Sequence, residues 1–366
     1  MRARGFSLVE LMIAMVIGLV VIGGAITVFS GSRSTSELNR TVTELQESAR
    51  FALGSIVRDV RMAGFQGCAD VNTSPAAIQA LGAPVTDLAA SAFTASRVET
   101  DGTWTPAPPA GFTPPASGAS GAPVPGTHAI VVQFGNPVVH RIEPMALTSS
   151  PVVLADTDAA SASLVAGDYA LVSNCSTADV FRISGTAGST LQHLNADNAS
   201  NLLSANYGAG NTPGANETRA FVMRFESNVY YVGDTGRTNA AGDRVRALYR
   251  QTLPYGSAAN PPIEMVEGVA NLKVRLGHRA EAPDTSIRYV RPGDAPPDAG
   301  GVDAVEIGLL LESHDPVADA PGGRGYRLAG IEHTGADAPT SAATGFPRDR
   351  RMRLAFNASV AIRNRR

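Results

Sequence analysis

The chain has 366 residues, of which 44% are hydrophobic and 17% charged, and its formal net charge is −3. This composition supplies enough apolar side chains for a folded core and excludes wholesale disorder. The slightly acidic balance does not favour general nucleic-acid binding, which depends on neutralising phosphates with lysine and arginine. The two cysteines, Cys68 and Cys175, are too few for a disulfide-rich small protein or a zinc site built from several thiolates.

The first predicted element is an apolar run of 24 residues from Phe6 to Phe29, of which 18 belong to the hydrophobic class. As a helix this run would be about 36 Å long, which is enough to cross a bilayer core of about 30 Å. Because Arg2 and Arg4 precede it, the positive-inside rule predicts a cytoplasmic N-terminus and a chain that continues outside the cytoplasm. A cleaved secretory signal is disfavoured, since the run is too long and contains Glu10; a simple signal anchor remains the alternative.

The acidic residue Glu10 lies about one helical turn into the apolar run. An unpaired carboxylate costs about 2.5–3.5 kcal/mol at the centre of a membrane helix and less near the interface. The sequence GFSLVELMIAM at positions 5–15 resembles the class III leader of type IV prepilins and pseudopilins. The resemblance implies that residues 1–5 are a leader peptide, that a prepilin peptidase cuts between Gly5 and Phe6, and that the new N-terminal Phe6 is methylated. It also implies that Glu10 pairs during assembly with the N-terminal amine of a neighbouring subunit, an arrangement in which a buried charge is tolerated.

The helix is predicted to continue beyond the apolar run. Apolar residues recur at steps of three and four from Leu38 to Ala63, and the first proline is Pro75. This spacing predicts one apolar stripe on an amphipathic helix. We therefore expect a single helix over residues 6–63, about 87 Å long, with a transmembrane half at 6–29. Its stripe is expected to pack on the chain's own sheet, and a coiled coil is the alternative.

The rest of the chain, residues 64–366, is expected to form a periplasmic β-rich head. Residues 99–126 contain seven prolines and five glycines, which predicts an exposed, partly polyproline loop. From His128 onward, apolar runs separated by turn-rich stretches predict antiparallel strands. The predicted strands are His128–Phe134, Val138–Ile142, Asp168–Asn174, Asp179–Ile183, Arg219–Phe225, Asn228–Val232, Arg244–Leu253, Ala270–Leu276, Asp303–Leu311, Arg327–His333 and Arg353–Arg363. The predicted fold class is α+β, with the long N-terminal helix packed on an antiparallel, β-rich globular head.

The two cysteines are expected to form one disulfide. Cys68 follows the predicted helix and Cys175 ends a predicted strand. The predicted topology places both in the oxidising periplasm, where disulfides form and persist. A bond closing a loop of about 107 residues stabilises by roughly 4–5 kcal/mol in the chain-entropy model. Two free buried thiols are the alternative, and no histidine pattern supports a catalytic cysteine.

Stretches spread along the chain resemble the PilW family of minor pilins. They are LQESARFAL at 45–53, RDVRMAGFQGC at 58–68, CSTADVF at 175–181, VEGVANLKVRLG at 266–277 and FNASVAIRNR at 356–365. The segment VANLKVR and the final strand are also similar to the J-type minor pseudopilin of type II secretion, the nearest relative. The chain is more than twice as long as most major pilins and lacks their C-terminal cysteine pair, so the resemblance does not extend to a bulk filament subunit.

The resemblance implies a function and a set of partners. It predicts a minor pilin that initiates type IV pilus assembly within a membrane and tip complex. The implied partners are other minor pilins of the PilX, PilV, PilE and FimU types, the major pilin, a pilus tip adhesin, prepilin peptidase and the inner-membrane assembly platform. The implied location is the bacterial inner membrane, in a single-pass topology with the head in the periplasm, and later the pilus tip or filament.

The sequence contains no pattern that supports catalysis. It lacks the nucleophile elbow, the P-loop and the zincin motif, so we expect no enzyme activity, no cofactor and no metal site. One turn-rich loop, with Asp234, Asn239 and Asp243, could offer oxygens to Ca²⁺, but a solvated turn is the favoured interpretation. A basic run could form a local DNA-binding patch, but a solvated loop is again favoured. That run contains Arg348, Arg350, Arg351 and Arg353.

Two alternative functions remain at this point. One is a minor pseudopilin of a type II secretion system, which deletion would reveal through lost secretion rather than lost twitching. The other is a membrane-anchored periplasmic binding protein or enzyme. That function requires a cleft lined with convergent polar groups, and the sequence shows no such set.

Overall fold

The computed structural model of the chain separates into two compact units, Met1–Glu47 and Ser48–Arg366. Helix α1 (Leu8–Met62) begins in unit 1 and ends in unit 2. The predicted α+β fold class is confirmed: a long apolar N-terminal helix is followed by a β-rich globular part. The structure describes residues 7–155, 158–159, 162–208, 220–253, 260–280, 286–296, 301–317, 325–336, 345–347 and 349–365.

Unit 1 consists of the apolar part of α1 and the polar turns that follow it. The large apolar side chains of the apolar run are exposed all round the helix, from Leu8 at 75% to Phe29 at 71%. The helical stretch with the highest mean hydropathy, 2.7, has no buried residue. A helix that is apolar on every side is suited to a membrane or to the interior of an assembly.

In unit 2 the last turns of α1 carry the predicted apolar stripe. Ala49, Ala52, Ile56 and Val60 are each at most 1% exposed, so the stripe packs into unit 2. The helix ends at Met62, and Gly64 follows with a positive φ of 73°. Glycine adopts this left-handed conformation without the steric cost that a Cβ imposes, which explains where the helix stops.

Unit 2 also contains a short helix, α2 (Leu88–Ser91), and the strands. The first ten described strands are β1 (Ala77–Ile78), β2 (Phe93–Val98), β3 (Trp104–Thr105), β4 (Ala122–Pro123), β5 (His128–Arg141), β6 (Val152–Val153), β7 (Tyr169–Ser173), β8 (Ala178–Arg182), β9 (Gly185–Ala187) and β10 (Thr190–Gln192). The next ten are β11 (Phe221–Thr238), β12 (Arg244–Leu253), β13 (Ile263–Glu267), β14 (Val269–Arg279), β15 (Ile287–Val290), β16 (Val302–Glu312), β17 (Tyr326–Leu328), β18 (Ile331–Ala336), β19 (Gly345–Pro347) and β20 (Arg353–Ala361). A 3₁₀ turn follows at Arg363–Arg365.

The strands form two main sheets. In the first, the order is β1-β8-β7-β11-β5-β2-β3, and β12 and β4 also pair with β11. The second sheet has the order β15-β14-β16-β20 and is antiparallel throughout. Two short pairings are parallel: β1 with β8 in the first sheet, and β18 with β19 outside the two main sheets. The head is therefore mainly but not wholly antiparallel.

Several sequence predictions need correction. The predicted strands at 128–134 and 138–142 are one strand, β5, because the Gly135–Pro137 segment is accommodated by a register shift against β11. The predicted strands at 219–225 and 228–232 likewise form the single strand β11. The sequence analysis missed β2, whose small residues give a weak periodicity.

The proline- and glycine-rich segment 99–126 is not simply an exposed loop. It contains β3 and β4, and its two large aromatic side chains, Trp104 and Phe112, are 7% and 6% exposed. Their ring centroids are 5.0 Å apart, and both contact Tyr231 on β11. The prolines and glycines shape the path of the chain, while the aromatic residues anchor it to the first sheet.

Candidate functional site: assembly elements and buried polar clusters

The N-terminal end of α1 has one of the two hydrogen bonds that define a capping box. The backbone N–H of Ser7 donates to Oε2 of Glu10 at 3.4 Å, and the Glu10 side chain is exposed. A glutamate at the third helical position can accept from the N-cap amide and also favours the positive end of the helix dipole. The predicted cleavage and methylation positions, Gly5 and Phe6, lie outside the described residues. Pairing of Glu10 with a neighbouring subunit stays a prediction.

A polar cluster fastens the C-terminal end of α1 to β11. Asp59 Oδ2 accepts from Tyr230 Oη at 2.6 Å and from Asn228 Nδ2 at 2.8 Å. Burial raises the pKa of Tyr230, and the charge and hydrogen bond of Asp59 raise it further, so the phenol stays protonated and donates. Asn364, near the end of the chain, donates to the carbonyls of Met62 and Ala63 at 3.3 and 3.2 Å. These contacts satisfy helix carbonyls that have no partner within the helix.

The expected disulfide between Cys68 and Cys175 is present. Cys68 lies four residues after Gly64, and Cys175 lies in the turn between β7 and β8. The bond therefore ties the segment after α1 to an outer hairpin of the first sheet. The disulfide and the hydrogen bonds of Asp59 therefore both attach the C-terminal end of α1 to the first sheet within unit 2.

A buried ion network joins β16 to the start of β20. Glu312 accepts from Arg351 Nη1 at 2.7 Å and from Arg353 Nε and Nη2 at 3.1 and 2.9 Å. Asp349 accepts from both arginines at 2.7–2.8 Å. The side chains of Arg353, Glu312 and Arg351 are only 1%, 4% and 7% exposed. Two guanidinium groups and two carboxylates balance, which is the condition under which buried charges are tolerated.

This network corrects the interpretation of the basic run. The sequence favoured a solvated loop, with a DNA-binding patch as the alternative, but the Arg351 and Arg353 side chains are buried and ion-paired. Burial alone would raise the pKa of Asp349, but the hydrogen bonds and charges of the two arginines outweigh it and lower that pKa. Arg348 lies outside the described residues. Neither Arg351 nor Arg353 is available to a phosphate backbone.

The turn-rich loop that suggested calcium is held together by protein contacts. Asp234 accepts from Arg244 Nη1 at 3.1 Å, and Asn239 Nδ2 donates to the carbonyl of His314 at 2.8 Å. The Asn239 Oδ1 atom accepts from the backbone N–H of Ala241 and Asp243. In the part of the chain that the structure describes, no group of three or more His, Cys, Asp or Glu side chains is placed to hold a metal.

A second buried polar cluster lies between β5 and β14. Lys273 and His128 are 3% and 4% exposed. Lys273 Nζ donates to the carbonyl of Gly126 at 2.6 Å, and the backbone N–H of Val274 donates to Nδ1 of His128 at 2.9 Å. Burial, reinforced by the nearby Lys273, lowers the pKa of His128 to about 3, and burial, reinforced by Arg291, lowers the pKa of Lys273 to about 8. The sequence analysis missed this cluster.

Comparison with known families fits this arrangement of a prepilin-type helix and a β-rich region. Residues 229–364 match the family model PilW, described as type IV pilus-assembly protein W. Residues 1–26 match the prokaryotic N-terminal methylation motif. Together the two matches support a PilW-type minor pilin. No curated protein and no solved structure matches it.

The PilW region has a clear place in the fold. It begins within β11 and includes the whole second sheet, so it contains Lys273 and the Glu312 network. The methylation motif covers Ser7, Glu10 and most of the apolar run of α1. These families point to a structural, non-catalytic protein with a type IV pilin-like role in pilus assembly, anchored in a membrane by α1.

Proposed function

We propose that this PilW-type pilin initiates type IV pilus assembly as part of a minor-pilin complex, first in the bacterial inner membrane and then at or near the pilus tip. The observation that carries the proposal is the combination of two features in one chain. A prepilin methylation motif lies on an exposed apolar helix, and a PilW region follows later in the chain. The helix serves as a membrane anchor before assembly and as the contact with neighbouring pilins afterwards. A cytoplasmic ATPase elsewhere supplies the energy, so this chain needs no active site.

Maturation is proposed to create the charge pair that drives assembly. Prepilin peptidase cuts between Gly5 and Phe6 on the cytoplasmic face, and Phe6 is N-methylated. The new ammonium of one subunit then meets Glu10 of a neighbour in the apolar interior. The exposed carboxylate of Glu10 supports this step, because a charge entering an apolar core needs an opposite charge.

The proposed orientation is a single pass with a cytoplasmic N-terminus and a periplasmic head. Arg2 and Arg4 before the apolar run support the first part. The Cys68–Cys175 disulfide supports the second, since the periplasm is oxidising. Proposed partners are minor pilins of the PilX, PilV, PilE and FimU types, the major pilin, a tip adhesin, prepilin peptidase and the assembly platform.

Two substitutions test maturation and assembly separately. Gly5→Asp is expected to leave the chain at precursor size and to abolish its support of piliation. Gly31→Asp is the matched control, because its site on α1 lies after the apolar run and no atom lies within 4 Å of an added Cβ. A Gly5→Asp chain that runs at mature size and supports normal pilus numbers contradicts the proposal.

Glu10→Ala is expected to be processed but to assemble poorly. Its control, Glu37→Ala, removes an acid of α1 beyond the apolar run. Normal pilus numbers with Glu10→Ala contradict the pairing step.

Deletion of the gene distinguishes a type IV pilus pilin from a type II secretion pseudopilin. Lost twitching supports a pilus role, whereas lost protein secretion with normal twitching supports a type II secretion pseudopilin.

A further inference from the structure

The buried Lys273 lines a cavity that has no part in the proposed role in pilus assembly. The cavity has a volume of about 440 Å³, and its walls come from β2, β5, β14 and the turn between β17 and β18. Its cationic lining residues are Arg97, Lys273 and Arg291. A volume of this size accommodates a small organic ligand.

Lys273 brings unused hydrogen-bond donors to this cavity. A lysine ammonium has three N–H donors. Among the described residues, its only hydrogen-bond partner is the Gly126 carbonyl, at 2.6 Å. The side chain is 3% exposed, and no carboxylate of the described chain lies within ion-pair distance. A buried charge without a counter-ion is costly, so the site favours a ligand that supplies negative charge.

His128 and Arg291 add donors of the same kind. Nδ1 of His128 lies 2.9 Å from the backbone nitrogen of Val274 and 3.2 Å from its carbonyl oxygen. In the tautomer that accepts the shorter contact, the ring proton lies on Nε2, which has no partner in the described parts of the chain. The Arg291 guanidinium is exposed and likewise makes no hydrogen bond or ion pair there. A guanidinium offers five donors in a planar fork that matches a carboxylate or a phosphate.

The acidic groups around the cavity are already paired. Glu99 accepts from Arg97 at 3.3 Å, and Asp294 accepts from the same arginine at 3.0 Å. Glu332 lies 3.5 Å from Arg327 on the neighbouring strand. The unpaired charges that line the cavity are therefore the two cations Lys273 and Arg291.

We infer that this cavity binds a small ligand through an oxyanion group, a phosphate or a carboxylate, held by Lys273, Arg291 and the Nε2–H of His128. The sequence alone showed no convergent polar set, because the three residues are far apart in the chain and come together only when β14 packs against β5. The inference is independent of pilus assembly: a chain that binds no anion can still be processed and assembled.

Lys273 is the only lysine in the chain, which gives a direct assay. Lysine labelled with ¹³C in the full-length protein in detergent micelles yields one ε-CH₂ signal, whose pH titration reports the pKa of Lys273. Sodium phosphate and sodium acetate are added separately, with ionic strength held constant by chloride. We expect the pKa of Lys273 to rise by about 1–3, because an opposite charge within hydrogen-bonding distance favours the ammonium. The arm with the larger rise identifies the preferred oxyanion.

Variants separate this site from general surface charge. Arg291→Gln removes one cation at an exposed position and is expected to weaken phosphate binding about tenfold. Arg279→Gln is the matched control, since this arginine lies on β14 outside the cavity and pairs with Asp303 at 3.6 Å. The inference is overturned if neither anion changes the Lys273 titration, or if Arg291→Gln and Arg279→Gln bind phosphate as tightly as the unaltered chain.

Discussion

Glu312 is the central acceptor of the buried ion network, and Glu312→Gln is expected to destabilise unit 2 strongly. The carboxylate is 4% exposed and accepts three hydrogen bonds from Arg351 and Arg353. Glutamine keeps the shape but removes the charge, so Asp349 and the more distant Asp243, 3.9 Å from Arg351, remain to balance two buried guanidinium groups. Breaking a buried pair by removing one partner costs about 3–5 kcal/mol.

Urea unfolding of the full-length chain in detergent measures this cost. The single tryptophan, Trp104, is buried in the first sheet and reports by fluorescence, while far-UV circular dichroism reports the strands of both sheets. With a urea m-value of about 3 kcal/mol/M, the midpoint falls by roughly 1–1.7 M. Glu332→Gln is the control, because its pair with Arg327 is 69% and 71% exposed and such pairs contribute about 0–1 kcal/mol. Equal midpoints for the two variants would refute the argument.

Three further predictions use the same unfolding assay. Replacing Cys68 and Cys175 together by serine should lower the free energy of unfolding by about 2–5 kcal/mol, and an unchanged midpoint would contradict the stabilising role of the disulfide. Asp59→Ala should cost about 1.5–3 kcal/mol, since it removes a charged acceptor from Tyr230; a loss below 0.5 kcal/mol would count against it. The pKa of His128 is lowered to about 3 by burial and by Lys273, so the unfolded chain takes up that proton first and stability falls as the pH drops from about 6.5 towards 3. The share of this dependence that belongs to His128, up to about 1.4 kcal/mol per pH unit, should be lost in His128→Gln. The share of His333, whose pKa burial lowers to about 4, should remain, and an identical slope in both proteins would contradict the role of His128.

The elements with strong local signals could be predicted from the sequence. The exposed apolar run and the stripe from Leu38 to Ala63 predicted α1 to within two residues at its C-terminal end, because helical periodicity is a local property. Cys68 and Cys175 could be paired because the chain has no other cysteine. The sequence predicted two strands in place of β5 and two in place of β11. Turn-forming residues inside a long strand are typical of a strand end, and only the pairing with the neighbouring strand shows that the strand continues.

The buried polar clusters could not be predicted, because they depend on contacts between distant strands. Lys273 and Asn271 alternate with apolar residues on β14, a pattern that normally places polar side chains in water. Both are buried because other elements cover that face as well. Arg351 and Arg353 looked solvated because their partner Glu312 is about 40 residues away in the sequence. The pattern of charges in a sequence identifies a basic run but does not show which acidic residue forms ion pairs with it.

Maturation as a prepilin and entry into a pilus are the two events that the proposed function requires of this chain. The most direct test is mass spectrometry of its N-terminal peptide after recovery from pili sheared off the cell surface. We expect a peptide that begins with N-methylated Phe6 and lacks residues 1–5. Recovery of a chain that still begins at Met1, or absence of the chain from pili whose other minor pilins are detected, would contradict the proposed function.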